Sequence, residues 1–195
     1  MPLVGLTGGL GAGKSTALEQ CAMLGAAILS TDGVVHELYA TDALIGAVRE
    51  RFGEEVFDSA GNVDRRALGE RVFAEPERRE WLERLLWPLV AERTRRWHSE
   101  LERLRPPPRA AVVETPLLFE AGGEGRFAAT IAVVADDELR AARVAGRDQA
   151  ALEQRERRQL SQEEKAARAT YVVVNDGTVE ELRERLASIL ETIAG

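Results

Sequence analysis

Gly8-Gly9-Leu10-Gly11-Ala12-Gly13-Lys14-Ser15 is the stretch that decides the fold. It satisfies the pattern G-x-x-x-x-G-K-[ST]. It lies between a short apolar run, Leu3 to Thr7, and a helix-periodic stretch that begins at Lys14 and carries Ala17, Leu18, Cys21, Ala22 and Leu24. Strand, glycine-rich turn and helix, in that order, are the context in which the pattern has a mechanism. Glycines let backbone N–H groups turn inward around phosphate oxygens, and the helix start presents its positive end. Lys14 adds a point charge, and Ser15 offers a hydroxyl ligand to Mg²⁺. Gly8, Gly9, Gly11, Ala12, Gly13, Lys14, Ser15 and Thr16 are therefore the expected nucleotide-binding residues, with Ser15 the metal ligand. Of the 26 basic residues 24 are Arg, and only Lys14 and Lys165 are Lys. A chain that chooses Arg almost everywhere keeps a compact ammonium inside this loop, where a planar guanidinium fits poorly.

Outward from the loop, a second short strand, Ala27 to Leu29, follows the turn at Gly25 and runs into Ser30-Thr31-Asp32. Those polar residues fall at the carboxyl end of a strand, where open α/β sheets bind ligands. The Asp32 carboxylate could accept a proton from a hydroxyl or steer Mg²⁺. Equally, it could cap a helix starting at Gly33. From Gly33 to about Arg105 the pattern is helical and laced with charge, broken at Gly53, between Gly61 and Asp64, and at Glu75-Pro76, with a kink or break expected at Pro88. Pro106-Pro107-Pro108 reads as a stiff linker that ends this insertion. Trp81, Trp87 and Trp97 all lie within it and read as packing residues, while His36 and His98 read as structural or surface residues.

Strand-like runs return at Ala110 to Glu114, Thr130 to Ala135 and Tyr171 to Val174, and a last helix covers Val179 to Ile193. Thr178 with Glu181 and Ser161 with Glu164 match the capping box that starts helices. Strands alternating with helices imply a parallel sheet. The expected architecture is one α/β domain, a three-layer sandwich of the P-loop nucleotide-kinase type with a five-stranded parallel sheet. Residues 1–32, 109–139 and 164–195 would form the nucleotide-binding core, 33–108 a helical substrate insertion and 140–163 an Arg-rich lid.

The lid reading rests on Arg140, Arg143 and Arg147 at i, i+3 and i+7, followed by Arg155, Arg157 and Arg158. Six arginines in 19 residues after a strand suit a segment that closes over phosphates. Asp148, Glu153 and Glu156 are interleaved, so a solvated, ion-paired helix is the other reading. Glu114-Thr115-Pro116-Leu117-Leu118-Phe119-Glu120 is an apolar strand entering a loop, which sets Glu120 at the ligand edge of the sheet as well.

Composition narrows the function classes. The 195 residues are 45% hydrophobic and 30% charged, enough for a sizeable core and against intrinsic disorder. Thirty-three acidic against 26 basic residues, a net charge of -7, exclude a general nucleic-acid coat. A single cysteine, Cys21, excludes an internal disulfide and a Cys-based zinc site and fits a reducing cytosol. The sequence Met-Pro-Leu-Val-Gly-Leu-Thr at the start lacks the features of a secretory signal, and the longest apolar run, Phe127 to Ala135, falls well short of the ~20 residues that cross a bilayer.

Taken together, these motifs resemble the dephospho-coenzyme A kinase family. The resemblance spans nearly the whole chain. It is carried by Val4 to Thr16, the Asp32 segment, Arg65-Arg66-Ala67-Leu68 leading to Val72-Phe73, Pro88-Leu89 and Pro116-Leu117-Leu118-Phe119-Glu120. Further along, Arg143 with Arg147, Arg155 with Gln159, and Val174-Asn175 followed by Gly177 complete it. The resemblance implies ATP-dependent phosphorylation of the ribose 3′-hydroxyl of dephospho-CoA in the cytoplasm. Under it Asp32 activates the acceptor hydroxyl, Lys14 and Arg143 act on the phosphates, and Asn175 belongs to the adenine site. It also places Asp32, Arg65, Leu117 and Glu120 toward the acceptor. ATP, Mg²⁺ and dephospho-CoA are the implied ligands of a monomer or small homo-oligomer that meets neither nucleic acid nor membrane. Ser30, His36 and Trp87 depart from the family, which usually has Asp, Arg and His there. Another nucleoside or nucleotide kinase, or a nucleotide-gated binding module without catalysis, are the competing readings.

Overall fold

The computed structural model describes residues 1–146 and 157–195. Its chain forms two compact units, Met1–Ser30 with Trp97–Gly195, and Thr31–Arg96.

The first unit is built on strands β1 (Leu3–Gly8), β2 (Ala27–Ser30), β3 (Ala111–Glu114), β4 (Ala129–Val134) and β5 (Tyr171–Val174). They form one sheet in the order β2-β3-β1-β4-β5, and every pairing is parallel. The central strands show why: all four residues of β3 are buried, as are Val4 to Gly8 of β1. Strands covered on both faces read as continuous apolar runs, the habit of a parallel sheet. Helix α1 (Lys14–Met23) and the C-terminal helix (Val179–Ala194) pack on this sheet through Ala17, Leu18, Cys21, Leu182, Leu186 and Leu190, against Val4, Leu6, Val112, Ile131 and Val133. Burial pushes the Cys21 thiol up to about 12, so this cysteine is a small apolar packing residue with no thiolate chemistry.

In the second unit lie α2 (Thr31–Leu38), α3 (Asp42–Phe52), α4 (Arg65–Ala74) and most of α5 (Pro76–Leu101). Its own core gathers Leu44, Val48, Phe52, Val56, Leu68, Val72, Leu82 and Leu86, with Trp81 edge-on to Phe52 at 5.7 Å. Asp64 caps α4 by accepting the N–H groups of Arg66 and Ala67. Pro88 does not break α5, which runs through it without interruption. Arg84, Trp87, Pro88 and Leu89 are all exposed there, so the carbonyl that loses its helical N–H partner can turn to water.

Residues 97–108 belong with the sheet unit rather than with the insertion. One reason is visible: the His98 ring nitrogen Nε2 lies 3.2 Å from the Met1 carbonyl, tying the end of α5 to the start of β1. Among the described residues the first unit also holds α6 (Asp137–Val144), α7 (Gln162–Arg168) and the C-terminal α8 (Val179–Ala194). Both expected capping boxes form, Ser161 with Glu164 at α7 and Thr178 with Glu181 at α8.

Candidate active site

The phosphate loop joins β1 to α1 with no residue to spare. Gly11 and Gly13 take positive φ, +73° and +90°, and Gly13 is the residue on which α1 begins. Among the described residues, the N–H groups of Gly13 and Ser15 donate to nothing, as the first N–H groups of a helix must unless a ligand takes them. Such donors at a helix start suit an anion.

Three side chains from distant sequence hold the outer face of this loop by its carbonyls. Arg140 Nε donates to the Leu10 carbonyl at 2.9 Å, and Arg143 Nη1 reaches the Gly11 carbonyl at 3.4 Å. Asn175 Nδ2 donates to the Ala12 carbonyl at 2.8 Å. Arg143 also donates through Nη2 to the Asn175 carbonyl at 2.9 Å, so the three act as one brace. Within the loop the Ala12 N–H donates to the Gly9 carbonyl at 3.3 Å.

Lys14 donates to the carbonyls of Gly9 at 2.9 Å and Gly8 at 3.2 Å. Its ammonium thus rests on oxygens of the loop itself, a position from which a phosphate can recruit it. Ser15 is exposed in the first turn of α1 and Thr16 is half-buried behind it. Glu114, a buried carboxylate, ends β3 beside β1, paired in register with Leu6. Sequence reasoning passed over Glu114; the available signal was an acid closing an apolar strand next to the loop strand.

Leu117 is half-buried in the loop after β3. Glu120, expected to meet the acceptor, has its Oε1 engaged inside the unit: it accepts the Leu160 N–H at 2.8 Å and pairs with Lys165 Nζ at 3.1 Å. Lys165 is completely buried. Its burial is not read from the sequence, although its being one of two lysines is a usable hint. Burial drives the Lys165 ammonium below the ordinary lysine value, and the Glu120 carboxylate opposes that shift.

Asp32 and Arg65 belong to the second unit. α2 begins at Thr31, so Asp32 sits in the first turn and does not precede a helix that starts at Gly33. Its exposed carboxylate accepts no N–H of its own helix, which removes the capping role. His36 follows one turn later on the same face, and Arg65 Nη1 lies 3.1 Å from His36 Nδ1. Since Arg only donates, Nδ1 accepts in this contact. Of the expected lid residues, Arg147 and Arg155 lie outside the described residues. Arg157 and Arg158 are exposed.

The sequence model of the dephospho-CoA kinase family, CoaE, matches residues 2–181. The chain is similar to dephospho-CoA kinase from Chlorobaculum tepidum, 37% identical over 199 residues that cover 98% of this chain and 94% of that protein. Among solved structures it is similar to one from Thermus thermophilus, with a TM-score of 0.81 and 36% identity over 100% of this chain and 98% of that one. It is also similar to dephospho-CoA kinase from Campylobacter jejuni, with a TM-score of 0.72 and 25% identity over 98% and 96% of the two chains.

Proposed function

Because the chain belongs to the dephospho-CoA kinase family, we propose that it transfers the γ-phosphoryl group of ATP to the ribose 3′-hydroxyl of dephospho-CoA, giving CoA and ADP. It is a P-loop kinase of coenzyme A biosynthesis. The observation that carries the chemistry is the braced loop. Arg140, Arg143 and Asn175 hold its carbonyls, and Lys14 is parked on Gly8 and Gly9 within reach of an incoming phosphate.

ATP binding exchanges these internal contacts for phosphate contacts. Lys14 turns from the two carbonyls to the β- and γ-phosphates, and the N–H groups of Gly13 and Ser15 take phosphate oxygens. Arg143, already anchored at the loop, offsets the charge that develops on the transferring group. Asp32 accepts the proton of the 3′-hydroxyl as its oxygen attacks, and the β–γ bridging oxygen leaves with ADP. Asn175 borders the adenine side, and Arg65 and Leu117 serve the acceptor. The unit Thr31–Arg96 is the substrate unit, and 140–163 acts as the lid.

The residues present suit Mg²⁺. Ser15 offers an exposed hydroxyl at the head of α1, and Glu114 a carboxylate at the end of the neighbouring strand. Both are oxygen donors. Such oxygen donors suit an ion that keeps several water and phosphate ligands. When bound, Mg²⁺ neutralises charge on the β- and γ-phosphoryl oxygens. No helix among the described residues is long and apolar enough to cross a membrane, and the reading is of a cytoplasmic monomer or small homo-oligomer without nucleic-acid partners.

Measuring ADP formation with ATP alone, with dephospho-CoA and with nucleosides tests this reading. Turnover should require dephospho-CoA, and the product should carry the new phosphate on the 3′-oxygen. Equal turnover with a nucleoside acceptor would replace the assignment with a nucleoside kinase.

A further inference from the structure

Two ammonium groups converge on one carbonyl of the phosphate loop. Gly8 accepts from Lys14 Nζ at 3.2 Å and from Lys165 Nζ at 3.4 Å. Lys165 stands on α7, immediately beyond the 140–163 segment, and it is fully buried. Its other contacts are the Pro116 carbonyl at 2.6 Å, Gln159 Oε1 at 3.2 Å and Glu120 Oε1 at 3.1 Å. The same Glu120 oxygen accepts the Leu160 N–H. A single buried ion pair therefore joins the first glycine of the phosphate loop, the loop after β3 and the last residues of the lid segment.

A buried ion pair is a poor source of net stability, because desolvating both charges offsets most of their attraction. Its presence at this junction calls for another reason. When Lys14 turns to a phosphate, the Gly8 carbonyl must not be left buried without a donor, and Lys165 remains on it. We infer that Lys165 and Glu120 are a positioning pair for phosphoryl transfer: they fix the Gly8 carbonyl and the end of the lid in the arrangement that the transition state requires. Lys165 acts through Gly8 and Lys14 and touches no nucleotide. The N–H groups that bind ground-state phosphates are braced separately by Arg140, Arg143 and Asn175, so the loss should fall on kcat rather than on ATP binding.

The test compares Glu120→Gln, which removes the negative charge and keeps an acceptor for Leu160, with the double variant Lys165→Met/Glu120→Met, which replaces the pair with apolar groups of similar length. Steady-state kcat and KM for ATP are measured with saturating dephospho-CoA, and melting temperature is recorded alongside. Both variants should lose at least ~10-fold in kcat with KM for ATP within about threefold of the parent. The double variant should stay slow even where it melts like the parent, since apolar replacement restores packing but not the pin. A double variant that melts like the parent with kcat within about threefold of it overturns the inference, as does a rise in KM without loss of kcat in either variant. Should the double variant not fold, Glu120→Gln decides alone by the same limits on kcat and KM. Because the readout is how kcat divides from KM with dephospho-CoA as acceptor, an enzyme that ignores dephospho-CoA would fail the functional reading before this experiment begins.

Discussion

The Asn175 side-chain amide donates to the Ala12 carbonyl at 2.8 Å, joining residues 163 positions apart in sequence. Asn175 follows β5, an edge strand two places from β1, so the phosphate loop is closed by a group delivered across the sheet. The fit leaves no room at the neighbouring residue: a Cβ on Gly13 would stand 2.2 Å from the same amide nitrogen, at a φ of +90°.

Gly13→Ala should therefore weaken ATP binding at least ~10-fold, because the loop must deform both to escape the clash and to leave the left-handed region. Adding Asn175→Ala removes the clash, leaves the backbone strain and takes away the donor to the Ala12 carbonyl, so the double variant should recover only part of the affinity of Asn175→Ala alone, which is the reference. Calorimetric titration with ATP reads both. Full recovery in the double variant would mean that the backbone conformation costs nothing here.

Arg143→Ala removes a contact to the Gly11 carbonyl and one to the Asn175 carbonyl, together with the positive charge meant for the transferring phosphoryl group. The charge matters most as the reaction proceeds, so kcat should fall ~10²-fold or more while the dissociation constant of ATP rises less than ~10-fold. Rapid-quench kinetics separate the two. If only melting temperature moves, Arg143 is a brace and nothing more.

Asp32→Asn keeps the shape of the side chain and removes its charge. Because the carboxylate caps no helix N–H, the variant should melt close to the parent and bind ATP normally. As the base for the 3′-hydroxyl its loss should cost ~10² to 10⁴-fold in kcat with dephospho-CoA. Turnover within about threefold of the parent would take Asp32 out of the mechanism.

The Lys165 and Glu120 pair also carries a signature in stability against pH. Burial lowers the folded-state pKa of Lys165 below its ordinary value, and the Glu120 carboxylate opposes this. Between the lowered folded value and the ordinary unfolded one, the unfolded chain binds more protons, so stability rises with pH across that window. Glu120→Gln removes the opposing charge, which deepens the depression and widens the window downward. Its deficit in melting temperature relative to the parent should be largest near about pH 7 and shrink toward about pH 10. A deficit independent of pH would show that the ammonium is not its source.

How far the chain could be read without its structure depended on how local each determinant is. The strands, the loop and the caps are set by neighbouring residues: Leu3 to Thr7 running into glycines, Asn175 after Tyr171 to Val174, Ser161 with Glu164. Periodicity, backbone freedom and capping act within a few positions, and these elements stand where the sequence placed them, within a residue or two. The strand, glycine loop and helix over residues 3–23 were legible for the same reason, since the pattern carries its own strand and helix. Pro88 shows where local reasoning stops, because whether a proline breaks a helix depends on what surrounds the freed carbonyl, and here that face is open to water.

The tertiary structure alone decided which side chains meet. Lys165 reads in sequence as one more cation on a helix after the lid, and Glu120 as a carboxylate at a ligand edge. Only folding buries the first to zero exposure and turns the second onto it at 3.1 Å. Arg140 was one of six arginines until the fold set its Nε on the Leu10 carbonyl. Asp32 could cap a helix starting at Gly33 until α2 began at Thr31. In each case the partner lies tens of residues away or the helix start shifts by two residues, and such choices are made by packing, which no window of neighbouring residues contains.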